Sequence, residues 1–374
     1  MTKEKIKYLV LSDIHLGHSR NKTKNIIRNL NSFLIDYKQE LKNLDILFIS
    51  GDTFDRLLTT KSEEYIESLK WLSNLLLYCK ERKIKLRILE GTPSHDARQI
   101  EAFVEVAKEL DKNVDFKYIN KLDIEYIQDL NINVLYVPDE WRHDSEITLK
   151  EVKDLLKEKH LAQVDISIMH GCFRYQLPIK PDAKFLHKES EYLDITKYYI
   201  NIGHVHTGSA YERILAPGSF DRLSHGEEEN KGGLLCNIYK DGSMDFKFLI
   251  NNFALIFNTI EYTNEDEKEI IKDLKNKLKK YPDGSFIRIK IKNDNKLMKS
   301  LKSFLDVYIN LNIKIEIDEK IIKKVSIDEL LKKDNKTFEI NKSNIEKLVN
   351  DCIDNSDEED EWKEYAKLIA KDFY

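Results

Sequence analysis

Cysteine is scarce in this chain. There are four in 374 residues, Cys79, Cys172, Cys236 and Cys352, and no two form a CxxC pair. That spacing excludes zinc-finger and disulfide-framework proteins and leaves free thiols of a reducing compartment. An excess of basic charge is missing too: 61 Lys and Arg against 66 Asp and Glu give a net charge of -5. A generally basic nucleic-acid coat is therefore excluded, but a local basic groove is not, because phosphate binding depends on local charge. No apolar run approaches the roughly 20 residues of a membrane span. The opening MTKEKIKYLVLSDIH lacks the apolar stretch and small-residue cleavage site of a signal peptide. No internal repeat is evident. These absences point to a soluble, cytoplasmic protein without a membrane partner.

The chain is 41% hydrophobic and 34% charged, which allows a substantial core spread over two or three domains. Apolar runs at 5–12, 44–50, 84–90, 132–137, 164–169 and 198–202 read as strands. Helical spacing marks 24–42 (Ile26, Leu30, Phe33, Leu34, Tyr37, Leu41) and 62–81 (Ile66, Leu69, Leu72, Leu76, Cys79). Strands alternating with helices predict an α/β architecture. Beyond residue 207, 232–239 and 244–250 around Asp241-Gly242 predict a β-hairpin. Residues 253–317 read as a small β-α-β-α-β module, with helices at 266–280 and 296–309. The tail opens on a Ser343/Glu346 capping box, and short helices flank the acidic run DNSDEEDE at 354–361. That run lacks the central glycine and acid spacing of a calcium loop.

The strands share a feature at their carboxyl ends. Strand 5–12 runs into Asp13 and His15, strand 44–50 into Gly51, Asp52 and Asp55, and strand 84–90 into Gly91, Ser94, His95 and Asp96. Strand 164–169 runs into His170 and Gly171, and strand 198–202 into Gly203, His204 and His206. Each motif alone is weak; a lone Gly-Asp is usually a turn. Five of the ten histidines placed in this way are harder to ascribe to chance, and sites in α/β sheets form at that end. Imidazole with carboxylate suits Mn, Fe or Zn. Two such ions can clamp a phosphate and stabilise an in-line displacement. Asp52 is the natural carboxylate to bridge them. Asp13, His15 and one of His204 and His206 would complete one ion, and His170 with the other histidine would serve the second.

In order, Asp-x-His, Gly-Asp-x-x-Asp, His-Asp, His and Gly-His-x-His resemble the calcineurin-like metallophosphoesterase superfamily. The resemblance implies a four-layer β-sandwich flanked by helices, with a site for two metal ions at the strand ends. It assigns His206 to the ion of Asp13, His15 and Asp52, and His170 and His204 to the other. It implies that His95 acts on the leaving group, that Asp96 belongs to the same catalytic motif, and that Asp55 orients a histidine. One departure stands out: the family's Gly-Asn-His-Asp is here Gly91-Thr-Pro-Ser94-His95-Asp96. Matched back from the histidine, Ser94 takes the asparagine's place as a weaker ligand.

The stretch APGSFDRLSHGEEENKGGLL at 216–235 resembles SbcD-type nuclease subunits of double-strand-break repair complexes. MHGCFRYQLP at 169–178 and the short length resemble bacteriophage members of that group. The resemblance implies a nuclease domain over 1–250, an α/β capping, DNA-binding domain over 251–325, and a linker and helical partner-binding tail over 326–374. It implies two Mn2+ ions (with Mg2+, Fe2+ or Zn2+ as alternatives), 3′–5′ exonuclease action on duplex ends and single-strand endonuclease action. It also implies a homodimer, and an SMC-like coiled-coil ATPase partner of SbcC type docked through the C-terminal helices. His18, Arg20 and Arg222 are candidate DNA contacts, and Phe173 and Tyr175 candidates for base stacking. Two rivals remain open: another di-metal phosphodiesterase or phosphatase of the same fold, and a catalytically weak scaffold subunit.

Overall fold

A computed structural model describes residues 4–110, 114–139, 144–177, 183–262, 266–292, 301 and 304–318, and isolated positions 350, 353, 363 and 367. The chain divides into two compact units, Met1–Glu316 and Ile317–Tyr374. Nearly all the description concerns the first. The tail helices expected after 343, four isolated positions apart, and half of the helix expected at 296–309 lie outside the described residues.

The first unit is a mixed α/β structure. One six-stranded sheet has the order β12-β11-β1-β2-β3-β4, from β1 (Glu4–Leu11), β2 (Ile46–Ser50), β3 (Lys85–Leu89), β4 (Phe116–Ile119), β11 (Gly232–Tyr239) and β12 (Met244–Ile250). Its β1 to β4 are parallel, and β11 joins β1 antiparallel. The second has the order β5-β6-β7-β8-β10-β9, from β5 (Asp123–Ile127), β6 (Ile132–Val137), β7 (Ile166–His170), β8 (Ile200–Gly203), β9 (Ser209–Tyr211) and β10 (Ile214–Ala216). Here β6, β7, β8 and β10 are parallel.

The near-continuous apolar runs are explained by burial on both faces. In β1, Ile6, Tyr8 and Val10 enter a core shared with Ile132, Val134 and Tyr136 of β6 and Ile166 and Ile168 of β7, so the two sheets face each other. The alternate residues Leu9 and Leu11, with Leu47, Ile49, Leu86 and Ile88, pack instead against α1 (Thr23–Asp36), α2 (Glu63–Arg82) and α3 (Glu101–Leu110). On the other side, Leu135, Val137 and Met169 pack against α4 (Ser145–Glu158) and α5 (Glu189–Ile195). The period-2 alternation of a strand therefore feeds two different cores. Helices cover the outer face of each sheet.

Local signals set the ends of the elements. Ser62 caps α2 by accepting from the Tyr65 N–H, and Lys83 closes it in the left-handed conformation (φ 58°). The helix expected over 24–42 stops at Asp36, and the chain turns through Asn43 (φ 60°) into β2. Leu41 is nonetheless buried, which is why its spacing mimicked a further helical turn. The hairpin is present, with Gly242 at φ 84° in its turn.

A third sheet, β13-β14-β15, is built from β13 (Phe257–Tyr262), β14 (Phe286–Lys292) and β15 (Asn312–Asp318). With α6 (Glu267–Leu278) it encloses its own core of Ile260, Ile270, Leu274, Ile287 and Ile289. Its first strand starts at 257 rather than 253, because the Asn251 side chain holds the preceding turn, bonding the Phe220 carbonyl and the Phe253 N–H. Cys79, Cys172 and Cys236 are buried free thiols. No helix among the described residues is long and apolar enough to cross a membrane.

Candidate metal centre

The parallel strands β1, β2 and β3 of one sheet, and β6, β7 and β8 of the other, deliver their carboxyl ends to one place. Two hydrogen bonds tie the sheets together there. The His204 N–H donates to Asp13 Oδ1 at 3.0 Å, and His170 Nδ1 meets the Ser50 carbonyl at 2.6 Å. Glycine makes the approach feasible. A Cβ on Gly203 would lie 2.0 Å from Ser12 Oγ and 2.3 Å from the Ser50 oxygen, and one on Gly51 would lie 2.1 Å from His170 Nδ1. The turns leaving the strands are sharp: Asp13 (φ 50°), His15 (φ 55°), Asp52 (φ 49°) and His204 (φ 99°) all adopt left-handed backbone. Each such non-glycine residue costs about 1–3 kcal/mol, and such residues concentrate at functional sites.

Three groups of side chains converge closely enough to hold a metal ion: Asp13, His15 and His206; His15, Asp52 and His95; Asp52, His170 and His204. They overlap through His15 and Asp52. The histidines are oriented for ligation. His170 is fully buried, its Nδ1–H is donated to the Ser50 carbonyl, and its Nε2 has no hydrogen-bond partner although Asp52 Oδ1 lies 3.3 Å away. That Nε2 is a buried lone pair needing a proton or a cation. His206 Nδ1 lies 3.2 Å from Glu227 Oε1, and His15 Nδ1 3.2 Å from Asp55 Oδ1. A carboxylate stands behind each imidazole, and the Glu227 bond directs His206 Nε2 inward. The two Nε2 atoms then face each other at 3.1 Å. This donor set fits divalent cations.

Electrostatics agree with the geometry. Burial would raise the Asp52 pKa, but His170, His15 and His95 outweigh it and hold the carboxyl well below its usual range. Burial would lower His170, yet Asp52 first, with Asp13 and Asp139, raises it. Burial would raise Glu227, but its bond to His206 and the charge of Lys231 bring it down to about 2. Lys231 is 1% exposed and lies 3.0 Å from Glu227 and 2.6 Å from Glu229.

Other expected residues take different places. His95 turns its Nδ1 to the Asp55 carbonyl, with its ring edge-on to His15 at a centroid distance of 5.0 Å. Asp96 is buried and both its oxygens are engaged, accepting from Phe54 N–H (2.9 Å) and Gly91 N–H (2.7 Å). It clamps the loops after β2 and β3 together and is in none of the three groups. Ser94 is exposed. Thr92 enters the site instead: its N–H donates to Asp52 Oδ1 at 2.6 Å, and its Oγ1 lies 3.3 Å from His204 Nδ1. Both the His95 and Asp96 N–H groups return to the Thr92 carbonyl, so a tight turn lifts Pro93 and Ser94 outward.

Arg222, expected on DNA, donates to the carbonyls of Glu228, Glu229, Ala254 and Leu255 and braces the loop that carries Glu227. His18 Nδ1 accepts from the Asn21 N–H at 3.0 Å, and Arg20 is exposed. Phe173 is fully buried, so it offers no face to a base, while Tyr175 stacks on the exposed Tyr211 at 5.1 Å.

Sequence reasoning missed Thr92, Asp139, Glu227 and Lys231. Asp139 stands two residues past β6, and its Oδ2 lies 3.0 Å from Thr92 Oγ1. The signal was available, since β6 is one more apolar strand that ends in an acid.

No protein-family model matches the chain, and no curated protein matches it. A crystal structure sharing 13% identity aligns over 65% of this chain and 98% of its own, with a TM-score of 0.39. The crystal structure of TT1561 from Thermus thermophilus shares 9% identity over 65% of this chain and 99% of its own, with a TM-score of 0.38.

Proposed function

We propose that this chain is a di-metal phosphoesterase of calcineurin-like type and, within it, a Mn2+-dependent DNA nuclease of SbcD type. The observation that carries the reading is the overlap of three ligand groups through Asp52 and His15, at the joined edges of two sheets. When bound, a pair of divalent ions would supply Lewis acidity toward a phosphodiester and activate water. Asp13, His15, Asp52 and His206 would hold one ion, and Asp52, His170 and His204 the other. Side-chain exposures of 40% for His204 and 31% for His206 leave the centre open to a substrate on that side. His95, with Nδ1 on the Asp55 carbonyl, keeps Nε2 to hold a proton for the leaving oxygen. Glu227 and Asp55 hold His206 and His15 in register.

The choice of DNA as substrate rests on the resemblance of residues 216–235 to the SbcD-type segment. The homodimer, the coiled-coil ATPase partner, the capping role of the third sheet and a cytoplasmic location belong to the same proposal. The test is degradation of end-labelled linear duplex DNA by the purified chain in Mn2+, Mg2+ or EDTA, beside a small phosphodiester. Mn2+-dependent cleavage of DNA supports the nuclease. Cleavage of the small diester alone favours another phosphodiesterase of this fold. No hydrolysis of either, with or without an ATPase partner, overturns the enzymatic reading.

A further inference from the structure

With Ser94 outside, the second ion's set of Asp52, His170 and His204 is short of oxygen donors. Two oxygen-bearing side chains that no sequence motif marked stand beside it. Thr92 Oγ1 lies 3.0 Å from Asp139 Oδ2, 3.3 Å from His204 Nδ1 and 3.4 Å from Asp52 Oδ2, and Asp139 Oδ2 lies 3.6 Å from His204 Nδ1. We propose that Asp139 and Thr92 complete the ligand set of the second ion, so that a carboxylate and a hydroxyl do there what one amide oxygen does in the resembling family. This rests on the di-metal reading.

The placement follows from the fold. β6 and β7 are parallel neighbours with Val137 paired to Met169, so Asp139, two residues past β6, and His170, the last residue of β7, lie at the same end of the sheet. Thr92 arrives from the other sheet, its N–H fixed on Asp52 Oδ1 at 2.6 Å. The spacings are those of adjacent ligands on one ion: oxygens about 2.1 Å from an octahedral centre sit about 3 Å apart. Proton bookkeeping points the same way. A threonine hydroxyl has one proton, yet two carboxylates, Asp52 and Asp139, crowd its oxygen at 3.4 and 3.0 Å. A cation among these oxygens would be ligated by all three. The added carboxylate makes the site harder and one charge more negative than an amide would, which suits Mn2+ or Mg2+.

The test titrates Mn2+ into the metal-free full-length chain by calorimetry, with electron paramagnetic resonance reporting spin coupling between paired ions. The wild type is expected to bind two ions. Asp139→Asn should weaken the second by at least about 10-fold, leave the first unchanged and remove the coupled signal while the first is still bound. Thr92→Val should act in the same direction and serves if Asp139→Asn does not fold, while Ser94→Ala should match wild type. Two ions bound with wild-type affinity in both Asp139→Asn and Thr92→Val would overturn this assignment and leave the di-metal reading standing. Fewer than two ions in the wild type would overturn both.

Discussion

His15 Nε2 and His206 Nε2 face each other across 3.1 Å, each imidazole held from behind by a carboxylate, Asp55 and Glu227 respectively. The two Nε2 atoms share one small space. A cation bound there would be ligated by both, and only the folded state presents the pair. Mn2+ is therefore expected to stabilise the chain, by about 2.7 kcal/mol at one hundred times its Kd. Melting in excess Mn2+ against EDTA checks this, and an unchanged Tm would count against a metal centre here.

At Gly203 the two sheets approach closely. A methyl group there would meet Ser12 Oγ at 2.0 Å and the Ser50 carbonyl at 2.3 Å. Gly203→Ala should push β8 away from β2 and cost on the order of 1–3 kcal/mol, as overpacking does. His204, the next residue, would move with it, so metal affinity should fall as well. Urea unfolding and Mn2+ titration of the same sample read both effects, and a variant with wild-type values for both would show that the sheets are less tightly joined than the structure has them.

His95 touches the centre through its ring contact with His15 and bonds the Asp55 carbonyl. If it holds the proton for the leaving oxygen, His95→Ala should lower kcat by about 10²–10⁴-fold and leave Mn2+ stoichiometry intact. Loss of an ion together with activity would assign His95 to the ligands instead.

Glu227 gives a pH signature. Its pKa, usually near 4.5, is brought down to about 2 because its contacts with His206 and Lys231 outweigh burial. A carboxylate depressed in the folded state adds stability that is present in full above pH 4.5 and is lost as pH falls from there toward 2. Glu227→Gln should flatten that acid limb in urea midpoints followed across this range. It should also destabilise the chain at neutral pH, since Lys231, 1% exposed, would keep only Glu229 and the His206 carbonyl. An acid limb as steep as that of the wild type would assign the lost stability to other carboxylates.

Much of the site was legible because its residues sit next to strands. An apolar run followed by Asp or His is a local pattern, and β1, β2, β3, β7 and β8 end where Asp13, Asp52, Gly91, His170 and His204 indicated. Other placements were set by the path of the chain. Ser94 was chosen by counting back from His95, but the turn closed on the Thr92 carbonyl puts Pro93 and Ser94 in solvent and Thr92 in the site. Arg222 looked like a DNA contact because it is basic and near the motifs, whereas its guanidinium meets carbonyls from two segments. Glu227 and Asp139 belong to the centre only because loops distant in sequence return to it.

By itself the sequence determined the alternation of strands and helices, the hairpin at Asp241-Gly242, and the order in which acids and histidines arrive at strand ends. These follow from side-chain period, turn chemistry and covalent adjacency, which act over a few residues. Only the tertiary structure decided that the strands divide between two facing sheets, that Asp96 and Arg222 bond backbone groups of neighbouring segments, and that Thr92 and Asp139 stand beside His204. Those outcomes depend on which oxygen lies within about 3 Å of which nitrogen, and that distance is set by packing between segments remote in the chain.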